Sequence, residues 1–231
     1  MSIAEANLDL PSNFTGLVKL FPLPNLVLFP GVIQPLHIFE PRYRKLMEDA
    51  VSSDQLIAIA RLKPDAALNH NEPAISTTVC VGKIVTHAEL PDGRFNLLLL
   101  GAQRATVIRE IATDLPYRMA DVKIAKTPQD PMDVDDDSIR AQASRLFRRL
   151  VATDESLDSE AVGQLLNDHL PLGMLMDLLT FSSNAELRDQ QDILETFDID
   201  IRARKVIEIL QSRLVSLEQP ELRFPPSFSY N

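Results

Sequence analysis

Prolines interrupt the first apolar part of this chain at short intervals. They stand at positions 22, 24, 30, 35 and 41, within an otherwise strand-like pattern. Because proline has no N–H group, a sheet tolerates it only at edges, strand ends and bulges. This region is therefore expected to form short strands in a strongly bent sheet. Pro30-Gly31 predicts a turn with Gly31 at positive φ, and Pro41 predicts the first residue of a helix.

Strand patterns continue to about residue 126. The segments that show them are residues 55–62, 77–89, 95–100, 104–111 and 117–125. Asp92-Gly93, directly after Pro91, predicts a tight turn between two antiparallel strands. The four leucines at 97–100 predict burial on both faces, near the centre of a sheet. Several short strands with one early helix predict a closed or nearly closed barrel.

The composition changes between residues 127 and 137, where five of eleven residues are aspartate. Such a segment repels itself and offers no core material, so it predicts a linker. We therefore expect a β-barrel subdomain over residues 12–126 and an acidic linker over residues 127–137. A helical bundle is expected over residues 138–219, and an aromatic and proline-containing tail over residues 220–231.

The helical part contains four or five amphipathic segments. Their apolar stripes are Ile139, Ala143, Leu146, Phe147, Leu150 and Val151; Val162, Leu165 and Leu166; Met174, Leu175, Leu178 and Leu179; Leu187, Leu194 and Phe197; and Val206, Ile209, Leu210, Leu214 and Leu217. This spacing is that of helices with one buried face. Ser183 followed by Glu186 has the pattern of a capping box and predicts a helix start.

Several of these motifs together resemble the N-terminal domain of the Lon protease family. The residues that carry the resemblance are Pro22-Leu23-Pro24, Leu28-Phe29-Pro30-Gly31, Pro35-Leu36, Ile38-Phe39-Glu40-Pro41-Arg42-Tyr43, Gly82, Pro91-Asp92-Gly93-Arg94, Gly101-Ala102-Gln103-Arg104, Gln190-Gln191-Asp192-Ile193-Leu194-Glu195 and Arg202. Asn25 and Gln34 are polar departures within the opening motif.

The resemblance spans nearly the whole chain and implies an α+β fold. It implies a PUA-like β pseudobarrel with an inserted helix, followed by a small C-terminal helical bundle. It also implies a stand-alone substrate-binding domain, the part that in the full protease recognises unfolded or tagged polypeptide and helps to assemble the ring.

The full Lon protease has an ATPase and a peptidase domain, and neither is expected in this chain. A P-loop needs Gly-x-x-x-x-Gly-Lys-Ser/Thr so that backbone amides surround the phosphates. The pair Gly82-Lys83 is followed by Ile84 instead. The family's peptidase domain lies beyond its ATPase, and the chain ends at Asn231. We therefore expect a protein that is not an enzyme, with no catalytic residue and no cofactor.

Metal sites are not expected either. The four histidines and Cys80 show none of the paired spacings of zinc sites. The segment from Asp133 to Asp137 imitates the start of a calcium loop, but Ser138 and Ser144 replace its turn glycine and its bidentate glutamate. Cys80 lies in an apolar strand pattern, which predicts a buried and unreactive thiol.

The net charge of −10 at pH 7 argues against nucleic acid as a partner, since the phosphate backbone would be repelled. No apolar run reaches the roughly 18 to 20 residues of a membrane span, so no membrane partner is expected. The N-terminus has neither a secretory nor a mitochondrial pattern. A single cysteine fits a reducing compartment. We expect a cytoplasmic protein.

Arg42, Tyr43 and Arg104 are the candidate peptide contacts. Guanidinium groups at the mouth of a barrel could bind peptide carboxylates, or could instead tie elements of the fold together. The tail carries Phe224, Phe228 and Tyr230. These rings predict that the tail docks into a groove, either on its own barrel or on a neighbouring molecule, and the second case would be self-association. The alternative is that the tail is disordered.

The expected function is a non-catalytic, polypeptide-binding or substrate-recognition module. Its expected partners are unfolded or extended polypeptide and an ATP-dependent protease. The alternative is a small-molecule sensor or receptor built on a PUA-like barrel. An unrecognised enzyme and an RNA-binding protein are further alternatives, which the lack of a catalytic cluster and the acidic charge disfavour.

Overall fold

The computed structural model describes residues 8–63, 73–125, 136–154, 157 and 170–218. The predicted linker falls mostly, and the predicted tail entirely, outside these residues, as does the short helix expected near Val162. The chain divides into two compact units, one built on a six-stranded sheet and one built of helices. The fold is therefore α+β. No helix among the described residues is long and apolar enough to cross a membrane.

The elements follow one another along the chain in this order: β1 (Leu17–Leu23), β2 (Ile33–Ile38), α1 (Pro41–Val51), β3 (Leu56–Arg61), β4 (Thr78–Glu89), β5 (Phe95–Ile111), β6 (Met119–Ile124), α2 (Asp136–Thr153), α3 (Leu172–Ser182), α4 (Leu187–Glu195) and α5 (Ile199–Glu218). The first unit contains all six strands with α1 and α4, and the second contains α2, α3 and α5.

The six strands pair in the order β2-β5-β4-β3-β1-β6, and β5 also pairs with β6. This additional pairing closes β5, β4, β3, β1 and β6 into a ring, as the strand pattern predicted. The pair β1–β3 is parallel, and the other pairs are antiparallel. One edge of β5 lies along β4. Because β5 is long, its other edge pairs with both β2 and β6.

The turn between β4 and β5 has the predicted geometry. Gly93 has φ 76°, and its N–H donates to the Leu90 carbonyl (2.8 Å). The leucines that follow lie where β5 is paired on both edges, and three of them are buried: Leu97, Leu99 and Leu100. The prediction of a central strand is confirmed. The two segments expected at 95–100 and 104–111 form one continuous strand.

The turn at Pro30-Gly31 packs against the middle of β5. Gly31 has φ 83°, as predicted, and its N–H donates to the Gly101 carbonyl (2.9 Å). The Gly101 N–H donates in turn to the Val32 carbonyl (2.8 Å). A Cβ on Gly101 would lie 2.0 Å from the Phe29 carbonyl oxygen. Two separate sequence motifs thus meet through backbone atoms.

Small and branched side chains fill the interior of the strand ring. The buried members are Val18, Leu20, Leu56, Ala58, Ala60, Ile75, Val79, Val81, Ala105, Ala120 and Val122. Helix α1 begins at Pro41, as predicted, since proline lacks only an N–H that would have no intrahelical partner there. Its buried residues are Tyr43, Leu46, Met47 and Ala50.

Helix α4 packs on the sheet, whereas the sequence pattern grouped it with the helical bundle. The Gln191 side-chain amide donates to the Thr78 carbonyl (3.1 Å). The Arg104 Nε donates to the Leu194 carbonyl (3.1 Å). These bonds join residues about 90 positions or more apart, so the helical period could not reveal them.

In the second unit, α3 is buried over most of its surface, including Asp177 and Thr180, rather than on one face as its amphipathic pattern predicted. The predicted capping box is wrong. Ser183 ends α3: its N–H donates to the Leu179 carbonyl (2.9 Å) and its hydroxyl to the Thr180 carbonyl (2.8 Å). Helix α4 begins at Leu187 with Glu186 as its N-cap residue, so Ser183 does not occupy the N-cap position that a capping box requires. Helix α2 begins at Asp136, inside the predicted linker.

Candidate functional site

Three depressions lie side by side on the first unit. The first has a volume of about 640 Å³ and shares Leu23, Glu40 and Tyr43 with the second, of about 450 Å³. The second shares Leu36 and His37 with the third, of about 430 Å³. We call the second and third depressions together the β2 groove, since β2 lines both. The first we call the Arg118 cleft.

Strand β2 has one unpaired edge, because among the described residues it pairs only with β5. The Gly101 N–H donates to the Val32 carbonyl, so Val32 faces β5. Main-chain groups alternate in direction along an antiparallel strand. Ile33, Pro35 and His37 therefore direct their main-chain groups to the free edge. Proline fits this outward position, since no ladder bond needs its missing N–H.

The middle of this free edge is partly occupied. The Gln34 side-chain amide donates to the Pro35 carbonyl at 2.9 Å. Gln34 also lines the second depression, together with Asn25. The free edge therefore offers N–H groups at Ile33 and His37, while the carbonyl at Pro35 already has a donor.

Aromatic rings and aliphatic side chains form much of the second depression. The Phe21 and Tyr43 ring centroids lie 4.4 Å apart. Phe39 is 61% exposed, and its ring stacks with that of His37 at 6.2 Å. An exposed ring beside an open strand edge is apolar surface that a bound chain could cover.

His37 stands between the two depressions of the groove. Its Nδ1 lies 2.7 Å from the Asn96 amide oxygen, and its Nε2 lies 3.3 Å from Arg94 Nη1. An amide oxygen only accepts hydrogen bonds and a guanidinium nitrogen only donates them. The tautomer with its proton on Nδ1 allows His37 to donate to Asn96 and to accept from Arg94.

Two of the three predicted contact residues lie together, at the border between the cleft and the groove. Tyr43 is buried, and burial is the main cause that raises the pKa of its hydroxyl. The Arg42 guanidinium lies 4.4 Å from the centre of the Tyr43 ring and forms an exposed ion pair with Glu40 (2.8 Å). This placement keeps a planar cation at the rim of the Arg118 cleft, beside the Tyr43 ring that lines both depressions.

Arg104, the third predicted contact residue, lies elsewhere. It is 6% exposed and lines none of the three depressions. Its bond to the Leu194 carbonyl joins β5 to α4. Of the two roles that the sequence left open for Arg104, these contacts are those of a residue that ties elements together.

The Arg118 cleft has polar walls whose charges are largely satisfied. Arg118 donates through Nε to Glu110 (2.6 Å) and through Nη1 to the Pro73 carbonyl (2.8 Å). The Tyr117 hydroxyl donates to Asp49 (2.8 Å). Burial, followed by that bond, raises the pKa of Tyr117. A ligand with charged groups would have to displace these internal partners.

Within the described part of the chain, no three His, Cys, Asp or Glu side chains stand close enough together to hold a metal ion. Cys80 is fully buried and is not in a disulfide, as its apolar strand predicted. What the geometry of the groove offers is binding, through main-chain groups and apolar surface.

Ile33, His37 and Phe39 are not among the peptide contacts that the sequence predicted. The prolines did predict edges, but which strand keeps a free edge depends on pairings between distant residues. Pro35 inside a strand was the available signal, because proline within a strand marks an edge.

The chain matches the family described as ATP-dependent protease La (LON) substrate-binding domain over residues 18–212. It is 29% identical over 202 residues to Lon protease of Roseiflexus castenholzii and 27% identical over 214 residues to Lon protease 2 of Bdellovibrio bacteriovorus. These alignments cover 87% and 93% of the chain, and 25% and 26% of the relatives. The chain therefore spans about a quarter of the length of these proteins.

Two solved structures have a similar fold. The N-terminal domain of a Lon protease from the Mycobacterium avium complex superposes with a TM-score of 0.66, covering 84% of the chain and 98% of that domain. A Lon N-terminal domain protein from Xanthomonas campestris superposes with a TM-score of 0.61, covering 83% of the chain and 97% of that protein. Sequence identity is 17% in both cases, so these structures support the fold alone.

Proposed function

Because the chain belongs to the family of ATP-dependent protease La (LON) substrate-binding domains, we propose that it binds unfolded or extended polypeptide and is not itself catalytic. The observation that carries the proposal is the free edge of β2 beside the apolar β2 groove. ATP hydrolysis or casein cleavage by the purified 231-residue chain would contradict the non-catalytic part.

The proposed mode of binding is strand addition. An extended chain would pair with the outward N–H and carbonyl groups of Ile33 and His37, as the next strand of the sheet. Main-chain pairing does not depend on side-chain identity, which suits a protein that accepts many unfolded sequences. Alternate side chains of the added strand would point toward the groove, where apolar ones would be favoured.

Arg42 and Tyr43 are proposed as contacts at the border between the cleft and the groove. Arg42 offers an exposed guanidinium group that can donate to peptide carbonyl or carboxylate groups. Tyr43 is itself buried, but it lines both depressions and supplies the ring beside which Arg42 lies. Arg104 is proposed to support the fold rather than to contact peptide, because its side chain is buried against α4.

Ile33→Pro tests strand addition directly. It removes an outward N–H, while the bonds to β5 come from the alternate residues and remain. We expect the variant to bind a fluorescent unfolded peptide about 2- to 10-fold more weakly, the effect of about one net hydrogen bond. Ile33→Thr retains the N–H and the β-branch and is the control, with binding within about 2-fold of the original. Equal binding by Ile33→Pro would contradict the proposal.

A small-molecule sensor or receptor on a PUA-like barrel is the second candidate. The Arg118 cleft favours it, because about 640 Å³ is within the usual range of ligand pockets. A ligand bound there would raise the melting temperature. A metabolite library that produces no such rise would leave strand addition as the better account.

An ATP-dependent protease is the proposed second partner, in a cytoplasmic setting. Affinity capture of the tagged protein, from cells with and without such a protease, tests this.

Self-association through the tail also stays a proposal, because residues 220–231 lie outside the described residues. Unchanged melting temperature and oligomeric mass after deletion from Phe224 onward would contradict it.

A further inference from the structure

We infer that Gln34 guards the free edge of β2 by occupying the carbonyl that an added strand would need. The inference rests on the proposed strand addition, and it assigns the residue that regulates it. Gln34 is one of the two polar departures within the opening sequence motif, and the strand-addition model above gives it no role.

The guard acts at the centre of the edge. Among Ile33, Pro35 and His37, the middle residue lacks an N–H, and its carbonyl already accepts from Gln34 Nε2 at 2.9 Å. At this point an approaching strand finds no N–H donor, and one of the two acceptor positions of the carbonyl is already taken. Its own N–H must share the carbonyl with the Gln34 amide, and it pairs without this competition only if the amide leaves.

This arrangement disfavours nonspecific pairing of β2 with the strand edges of other molecules. Exposed strand edges invite pairing with other edges, including those of a second copy of the same chain. A proline and a neighbouring side-chain donor together weaken the edge without burying it. A polypeptide that also covers Phe39 and the groove gains enough elsewhere to displace the amide, whereas a bare strand edge does not.

The chemistry of residue 34 determines whether the guard works. The carboxamide supplies an N–H donor at the end of a side chain long enough to curl back to the next carbonyl. Methionine has similar length but no donor. Gln34→Met should therefore free the Pro35 carbonyl while leaving the main-chain pairing with β5 in place.

Asn25→Met is the matched control. Asn25 lines the same depression, and the change adds similar apolar surface without releasing the Pro35 carbonyl. With a fluorescent unfolded peptide, we expect Gln34→Met to bind about 2- to 10-fold more tightly than the original chain. Asn25→Met should stay within about 2-fold.

Sedimentation of the chain without peptide provides a second measurement. Gln34→Met should self-associate at lower concentration than the original chain or Asn25→Met, and adding Ile33→Pro should reverse the effect. If Gln34→Met neither binds peptide more tightly nor self-associates more, the inference is overturned. Equal effects of both methionine variants would also overturn it, because added apolar surface would then be the cause.

The two proposals fail in different ways. If peptide does not bind, but Gln34→Met self-associates through the β2 edge, strand addition of clients is wrong and the guard stands. If peptide binds and Ile33→Pro weakens it, but Gln34→Met changes neither measurement, strand addition stands and the guard is wrong.

Discussion

At the scale of single residues, Gly101 allows two backbone segments to approach within hydrogen-bonding distance. A side chain there would meet the Phe29 carbonyl, which belongs to the Pro30-Gly31 turn and cannot rotate away. Gly82 on the neighbouring strand is also crowded, but by the Leu99 side chain. Side chains have rotamers to exchange, and a backbone carbonyl held in a turn does not.

Gly101→Ala is expected to lower the free energy of unfolding by about 1–3 kcal/mol, the usual effect of forcing an extra carbon into a packed site. Gly82→Ala should lower it less, because Leu99 can adjust. Urea unfolding of the two variants and the original chain measures the difference. The steric argument fails if Gly101→Ala is as stable as the original or more stable than Gly82→Ala.

A buried ion pair joins two helices of the second unit. Arg202 and Asp177 are each 1% exposed, and Arg202 Nη1 lies 3.2 Å from the Asp177 carboxylate. The same nitrogen donates to the Gly173 carbonyl (3.3 Å). Removing one partner of such a pair leaves the other charge buried without its counterion.

Arg202→Met should therefore destabilise the chain by about 3–5 kcal/mol. Combining it with Asp177→Leu should restore much of the loss, because the buried carboxylate that had lost Arg202 is then removed as well. Thermal and urea unfolding of the single and double variants check this. A single variant as stable as the double variant would show that the pair is not coupled.

At the scale of elements, the C-terminal part of α1 is fixed to the barrel by a small polar network. Asp49 accepts from Lys45 and from the Tyr117 hydroxyl, both at 2.8 Å. The bond from Lys45 is the main cause that lowers the pKa of Asp49. Near neutral pH the network therefore contains a carboxylate and a neutral phenol.

The network predicts a loss of stability at alkaline pH. The pKa of Tyr117 is raised in the folded protein, so its contribution is complete below the unfolded value of about 10 and decreases as the pH rises above it. Tyr117→Phe should be less stable near pH 8 and should lose less stability between pH 9 and 11. Unfolding free energies over that range test this. Parallel losses in both proteins would contradict it.

Most strands could be predicted from local patterns, because proline, glycine and apolar alternation act within a few residues. The misassignments have nonlocal causes. Helix α4 was grouped with the bundle because its bonds to Thr78 and from Arg104 are invisible in a local window. Ser183 has the sequence of a helix start, but its hydroxyl bonds backward to α3.

The candidate site was predictable only in part. Arg42 and Tyr43 lie together because they are adjacent on α1, whereas Arg104 is carried by β5 to a different neighbour. The free edge of β2 could not be deduced from the strand's own residues. It follows from the pairings of β5, which has β4 along one edge and both β2 and β6 along the other. Strand β6 continues the ring, whereas β2 has no second partner among the described residues.

At the scale of the whole molecule, the charge of −10 will repel acidic ligands and attract basic ones over distances longer than a hydrogen bond. Strand addition itself uses neutral main-chain groups. The two contributions respond differently to salt, since screening weakens only the interaction between charges.

For an uncharged unfolded peptide, we expect the dissociation constant to change less than about 2-fold between 50 and 500 mM salt. A basic peptide of the same length should bind more weakly as salt rises. Fluorescence anisotropy titrations measure both. Strong salt dependence with the uncharged peptide would contradict binding through neutral main-chain groups.

The closed ring of strands leaves β2 as the place where another strand can join, among the residues described. A polypeptide held there and pulled along its length would load all its main-chain bonds at the same moment, so they would resist together. The same polypeptide lifted sideways would lose them one at a time. The complex would therefore resist a force along the bound polypeptide. It would separate readily under a force that lifts one end of the polypeptide away from β2.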